Sequence, residues 1–220
     1  MRSIIAGLAG LLCLGLAPTA RADLLGVSAQ VQGGGAGGGG LGGAHQDDAF
    51  IKGVSGATYG AKVGVEIAWI SAWAEHNQYA GDGGIRGTWT QLLAGLDFEF
   101  DVGEATRGGF LDNEGHRTGD RYTPFYTEFG LALGFGMGTG QQVDPPLDNT
   151  EITDKGFVGQ VTLGVGYRLT RVLAIGIEVP VRAAYLFKSG AGLAANDQET
   201  QYQSLAVAGL VHLRFDIGLK

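Results

Sequence analysis

Covalent staples are closed to this chain. Its 220 residues contain one cysteine, Cys13, and that residue lies inside an apolar leader, so no disulfide is expected. Positive charge is scarce: 15 Lys and Arg against 22 Asp and Glu leave a net charge of −7, which argues against nucleic-acid binding. Beyond the leader no segment approaches 18 consecutive apolar residues, so no helix is expected to span a membrane. No cofactor motif is present either. The run Gly33 to Gly43 lacks the Lys-Ser/Thr ending and following helix of a phosphate loop. None of His45, His76, His116 and His212 forms a zinc spacing with another His or Cys. The acids Asp47, Asp48, Asp144, Asp148 and Asp154 lack a calcium-loop spacing and read as solvated loops.

What the chain does have is glycine, 41 residues, without the strict triplet of collagen. It also has a leader. Met1-Arg2 is followed by an uncharged apolar run, Ile4 to Leu16, and by the small-x-small triplet Ala20-Arg21-Ala22. This is the pattern of a cleaved signal peptide over residues 1–22, too short to be a spanning helix. Leu12 before Cys13 argues against a lipoprotein signal. Cleavage would leave Asp23 to Lys220 as a single domain of 198 residues (220 less 22), with 13 basic and 22 acidic residues, net −9.

The remaining chain alternates apolar and polar residues with period two, the signature of strands with two unlike faces. The last segment is the clearest. Leu205, Val207, Val211, Leu213, Phe215, Ile217 and Leu219 share one face; Ser204, His212, Arg214 and Asp216 share the other. Earlier segments repeat the pattern. Leu25, Val27, Ala29 and Val31 oppose Gln30 and Gln32. Tyr59, Val63, Val65 and Ile67 oppose Lys62 and Glu66. Leu92, Leu96, Phe98 and Phe100 oppose Gln91, Asp97 and Glu99. Leu131, Leu133 and Phe135 oppose Glu128. Leu163 and Val165 oppose Arg168. Ile175, Ile177 and Val179 oppose Glu178 and Arg182. The segment Ile70 to Tyr79 is mixed on both faces. A turn near Trp69-Ile70-Ser71 is placed by length alone, because a single strand from Thr58 to Tyr79 would run twice the bilayer-crossing length.

Eight such segments form an even set. Short turns near Ile70 and at Leu169-Thr170-Arg171 fall on the end that holds both termini. Longer connections, 33–56, 81–87, 139–155 and 188–200, fall on the opposite end and are expected to be extracellular. The glycine run 33–43 reads as a flexible loop tip. One connection, Val102 to Arg121, is long and charged although parity puts it on the short-turn end. Pro180 removes a ladder donor and is expected at a bulge or near a rim.

A soluble sandwich turns its apolar face inward; a membrane barrel inverts this. The inverted reading makes Leu131, Leu133, Phe135, Leu163, Val165, Ile175, Ile177, Val179, Val211, Leu213, Phe215 and Ile217 lipid-facing. Inside, Lys62, Glu66, Asp97, Glu99, Glu128, Arg168, Glu178, Arg182, His212, Arg214 and Asp216 form a polar lumen network. Eight strands enclose a space that side chains just fill. The aromatics Tyr79, Trp89, Tyr122, Tyr126, Tyr167, Tyr185, Phe187 and Tyr202 are candidates for interfacial girdles.

With these features the chain resembles the small outer-membrane β-barrel proteins of bacteria, such as the transmembrane domain of outer membrane protein A. The resemblance covers Asp23 to Lys220 and rests on architecture. It implies an all-β, eight-stranded antiparallel up-and-down transmembrane barrel in the bacterial outer membrane, surrounded by lipid and inserted by the barrel-assembly machinery. The family usually closes its last strand on an aromatic residue; here Phe215 is followed by Asp216-Ile217-Gly218-Leu219-Lys220. The expected role is a monomeric, non-catalytic barrel with a plugged lumen, structural or acting through its loops. A narrow pore is the alternative. A lipid-modifying hydrolase built on Ser71, Glu75 and His76 is the third reading, since these are the residue types a serine hydrolase needs.

Overall fold

The computed structural model describes residues 25–41, 54–80, 85–102, 105–106, 121–122, 124–142, 152–170, 172–189 and 201–219. Residues 1–22, the expected signal peptide, lie outside these residues. The strands are β1 (Leu25–Leu41), β2 (Gly56–Ile67), β3 (Ile70–Ala80), β4 (Ile85–Val102), β5 (Ala105–Thr106), β6 (Arg121–Tyr122), β7 (Phe125–Gln142), β8 (Ile152–Arg168), β9 (Leu173–Ser189) and β10 (Gln201–Leu219). Eight of them close into one antiparallel barrel in the order β1-β10-β9-β8-β7-β4-β3-β2. The fold is therefore the all-β, eight-stranded barrel that the alternation predicts. Closure matters because each strand of the wall then has a neighbour strand on both sides, leaving no open sheet edge.

The register measures the barrel. From Gly26, successive partners are Glu66, Ser71, Gly95, Ala132, Gln160, Arg182 and Ala206, and the path returns to β1 at Gly38, twelve residues beyond its start. Eight strands with that stagger tilt by about 45°. One consequence is that each step from strand to strand climbs an average of one and a half residues toward the end where β1 joins β2. That end is the loop end; the other is the turn end.

The turn end has two tight hairpins. Ile67 pairs with Ile70, so the first turn is Ala68-Trp69, slightly before the predicted position. Ala68 has φ 56°, a left-handed conformation that a Cβ resists. The turn is therefore made without the Gly that this conformation favours, which leaves it no mark in the sequence. In the second, the Thr170 hydroxyl accepts from the amides of Val172 (3.2 Å) and Leu173 (3.0 Å).

Four expectations change. The glycine run is strand, not loop tip: Gly33 to Gly40 pair in unbroken register with Val211 to Ser204 of β10. Extended backbone needs no side chain when a partner supplies the hydrogen bonds, and a Cβ at Gly34 would fall 1.9 Å from the Gly209 carbonyl oxygen. The connections 33–56, 81–87, 139–155 and 188–200 are likewise shortened, since β1 runs to Leu41, β4 begins at Ile85, β7 ends at Gln142, β8 begins at Ile152 and β9 ends at Ser189. The long connection after Val102 is not a simple turn. Val102 pairs with Phe125, Ala105 with Tyr122 and Thr106 with Arg121, so β5 and β6 continue the β4–β7 hairpin at constant offset as a two-stranded ribbon. Pro180 is neither at a bulge nor near the rim. It is fully buried at the middle of β9 and keeps its pairing to Thr162. On its other side the ladder pauses between Val181–Val207 and Glu178–Leu210 without changing offset. A missing N–H interrupts a ladder without requiring an extra residue.

Candidate functional site: the barrel lumen

The strand period sorts the side chains. Leu131, Leu133, Phe135, Leu163, Val165, Ile175, Ile177, Val179, Val211, Leu213, Phe215 and Ile217 all lie exposed on the outer face. In β10, Leu213 is 42% exposed while His212 beside it is 2% exposed. The inner face carries most of the charges, and most of these group in three tiers.

The loop-end tier centres on Glu75. Its Oε1 accepts from Gln32 Nε2 (2.9 Å), Asn77 Nδ2 (2.5 Å) and the Arg182 guanidinium; its Oε2 accepts from Gln91 Nε2 (2.6 Å). Arg182 also donates to Gln160 Oε1 (2.9 Å) and the Tyr79 hydroxyl (3.1 Å). Gln91 donates to Gln160 (2.9 Å) and accepts from Trp89 Nε1 (2.8 Å). A gap of about 30 Å³ remains beside Ala36, Pro180, Ala206 and Ala208, room for about one water.

The turn-end tier centres on guanidiniums. Arg214 donates from Nε to Asp216 (2.8 Å), from one terminal nitrogen to Glu128 (2.9 Å) and from the other to Glu99. Arg168 also binds Glu99. Both guanidinium carbons stand over the Tyr126 ring, Arg168 at 5.0 Å and Arg214 at 4.8 Å from its centroid. Glu66, also predicted for the lumen, is exposed at the turn-end rim.

Between the tiers lies a looser waist. Glu178 Oε2 is 3.9 Å from both Lys62 Nζ and His212 Nδ1, too far for direct hydrogen bonds. Glu178 Oε2, His212 Nδ1 and Asp97 Oδ1 are buried with no hydrogen-bond partner. Such spacings call for bridging water. Lys62 rests 4.8 Å from the centroid of the Trp73 ring, and the Tyr126 hydroxyl meets His212 Nε2 at 3.3 Å.

Small residues make room for the large ones. A Cβ at Gly136 would fall 2.3 Å from Trp89, one at Gly166 2.3 Å from Tyr126, and one at Gly176 2.7 Å from His212. Each of these side chains therefore packs over a glycine of another strand.

No model of a known protein family matches the chain, and no curated protein matches it. Solved structures do. Neisserial surface protein A superposes with a TM-score of 0.49 at 12% identity, covering 87% of this chain and 96% of that one. The N-terminal β-barrel domain of Pseudomonas aeruginosa OprF gives 0.41 at 12%, covering 86% and 97%. The outer membrane protease OmpT of Escherichia coli gives 0.39 at 10%, covering 93% and 99%. The fold assignment rests on the closed ladder itself, not on these modest scores.

Sequence reasoning missed the centre of the loop-end tier. Glu75, Gln32, Asn77, Gln91 and Gln160 were not among the predicted network, because neutral amides carry no charge signal and β3 looked mixed. Placing the turn at Ala68-Trp69 would have found Glu75: Ser71, Trp73, Glu75, Asn77 and Tyr79 then share the inner face. The same alternation separates the hydrolase candidates. Glu75 and Ser71 point inward while His76 is exposed outside, its Nδ1 2.7 Å from Thr90 Oγ1, so the three do not form a triad. Three predicted girdle aromatics, Tyr79, Trp89 and Tyr126, are buried inside, and so correct that expectation. Tyr167 and Tyr185 are on the outer face, edge-on to Phe125 and Phe187. The side chains of Tyr122 and Tyr202 lie outside the described residues.

Proposed function

We propose that this protein is a non-catalytic, monomeric integral barrel of the bacterial outer membrane, with a plugged lumen and a structural or surface-contact role exercised from its loop end. The observation that carries the reading is inverted polarity. An apolar outer wall encloses charged side chains that are largely matched in ion pairs and hydrogen bonds, the arrangement a bilayer requires and water does not. Lipid covers Leu133, Leu163, Ile177, Leu213 and their neighbours. The two tiers block flow, since Glu75, Gln91, Gln160 and Arg182 bond to one another across the bore.

Two measurements test this. The protein is expected in the outer-membrane fraction, with unboiled and boiled samples migrating differently on a gel; recovery in the soluble periplasm defeats the membrane reading. In a planar bilayer it is expected to give no steady single-channel steps. The unpartnered waist atoms Glu178 Oε2, His212 Nδ1 and Asp97 Oδ1 favour a second reading, a narrow hydrated pore. Stable conductance steps would select it over the plugged barrel.

A further inference from the structure

The outer wall is not uniformly uncharged. Among the described side chains, every Lys, Arg, Asp and Glu of the eight barrel strands falls on the inner face except two, Arg86 and Lys155. Both are cations, both are exposed, and both are at the loop end, on β4 and β8. Among the described residues no carboxylate pairs with either. No outward-facing cation is described at the turn end.

Register places the two at one level. Lys155 pairs with Met137, and Met137 with Thr90. The two steps from β4 to β8 climb three residues, so Lys155 stands level with Gly87, next to Arg86. Between them the hydroxyls of Thr88 and Thr139 are 3.0 Å apart. Below Lys155 the outward residues of β8 are Phe157, Gly159, Val161, Leu163, Val165 and Tyr167, with no charge. Those twelve residues, at about 3.3 Å each and about 45° of tilt, span roughly 28 Å of height. An outer apolar band of a membrane barrel is about 25 Å tall. Arg86 and Lys155 thus stand where hydrocarbon gives way to headgroups, on one side of the barrel and one end only.

We infer that Arg86 and Lys155, with the Thr88 and Thr139 hydroxyls between them, form a binding site for the anionic phosphate headgroups of lipids in the loop-end leaflet. Two exposed cations bracketing a hydroxyl pair with one O–H left to donate suit a phosphate that carries net charge, and long apolar stems let the cations reach it from the wall. This inference rests on the membrane reading above and adds to it a leaflet preference and a lipid class.

The test uses the whole protein folded into vesicles and then extracted with its bound lipids for native mass spectrometry. Vesicles contain equal phosphatidylcholine and phosphatidylglycerol. Each cation near such a surface strengthens attachment about fivefold. The wild type is therefore expected to retain phosphatidylglycerol preferentially, Arg86→Gln or Lys155→Gln to lose about fivefold of that preference, and the double variant about 25-fold. The charge-conserving pair Arg86→Lys with Lys155→Arg is expected to keep it. A double variant with wild-type preference, or a wild type with none, overturns the site. Release of the lipid by inorganic phosphate, but not by chloride at equal ionic strength, would reassign the site to free phosphate and overturn the lipid assignment. Failure of the wild type to insert, seen as no gel shift on boiling, would overturn the membrane reading and this site with it.

Discussion

The two hydrogen-bonded tiers of the lumen solve one problem in opposite ways. In one tier a single carboxylate, Glu75, is surrounded by neutral amides and one guanidinium, and its side chain is 2% exposed. At the turn end Arg214 gathers three carboxylates, and two of them are open to water: Glu99 at 26% and Asp216 at 37%. Burying an ion pair is costly unless every remaining lone pair is occupied. Amides serve that purpose in a dry layer without adding charge. Near a mouth water completes the shell, so formal charges suffice.

The largest effect is expected from breaking the dry tier. Glu75→Ala leaves Arg182 buried and unpaired and is expected to lower stability by about 3–5 kcal/mol. Urea unfolding of vesicle-inserted protein reads this directly. Replacing both partners, Glu75→Leu with Arg182→Met, is expected to cost far less than either single change. A double variant as unstable as Glu75→Ala would mean that packing, and not the pair, is at stake.

Arg214→Ala is expected to cost about 2–3 kcal/mol, because the mouth rehydrates Glu99 and Asp216 but not Glu128. The contrast sharpens in salt. At 1 M ionic strength the Arg214→Ala deficit should shrink while the Glu75→Ala deficit stays, since screening reaches exposed charges first. Equal salt responses at the two ends would erase the distinction between them.

Filling a hollow comes next. Gly166→Ala pushes a methyl against Tyr126 and is expected to cost about 1–3 kcal/mol, recovered in part by Tyr126→Leu. If the cost persists in the double variant, the ring is not the obstacle. The smallest change is a gain. Ala68→Gly relieves a left-handed Ala and should raise the unfolding midpoint by an amount worth about 1 kcal/mol. No gain would place the strain of that hairpin elsewhere.

Much of this design is legible in the order of residues, for a physical reason. Period two is a property of the pleat, so Leu213 and Arg214 declare opposite faces before any partner is known. Pairing is different. That Arg214 meets Glu128 and Glu99, or that Glu75 meets Arg182, depends on stagger between strands far apart in the chain, which alternation does not encode. Composition misleads at β1. Glycine without neighbours is a flexible tract; with β10 beside Gly33 to Gly40 and β2 beside Gly33 to Gly35, the same run is wall. Alternation puts Gln32 and Gln91 on the polar face, but that they meet Glu75 depends on the same stagger.

The pause opposite Pro180 makes the wall uneven in strength. Ala208 and Gly209 have no partner in β9, and on their other side they meet Ala36 and Gly35 of the glycine run. A cylinder nicked along its grain tears from the nick. Under load or heat the staves should part first between β9 and β10, at mid-height, and not at the closing seam where the two ends of the chain meet.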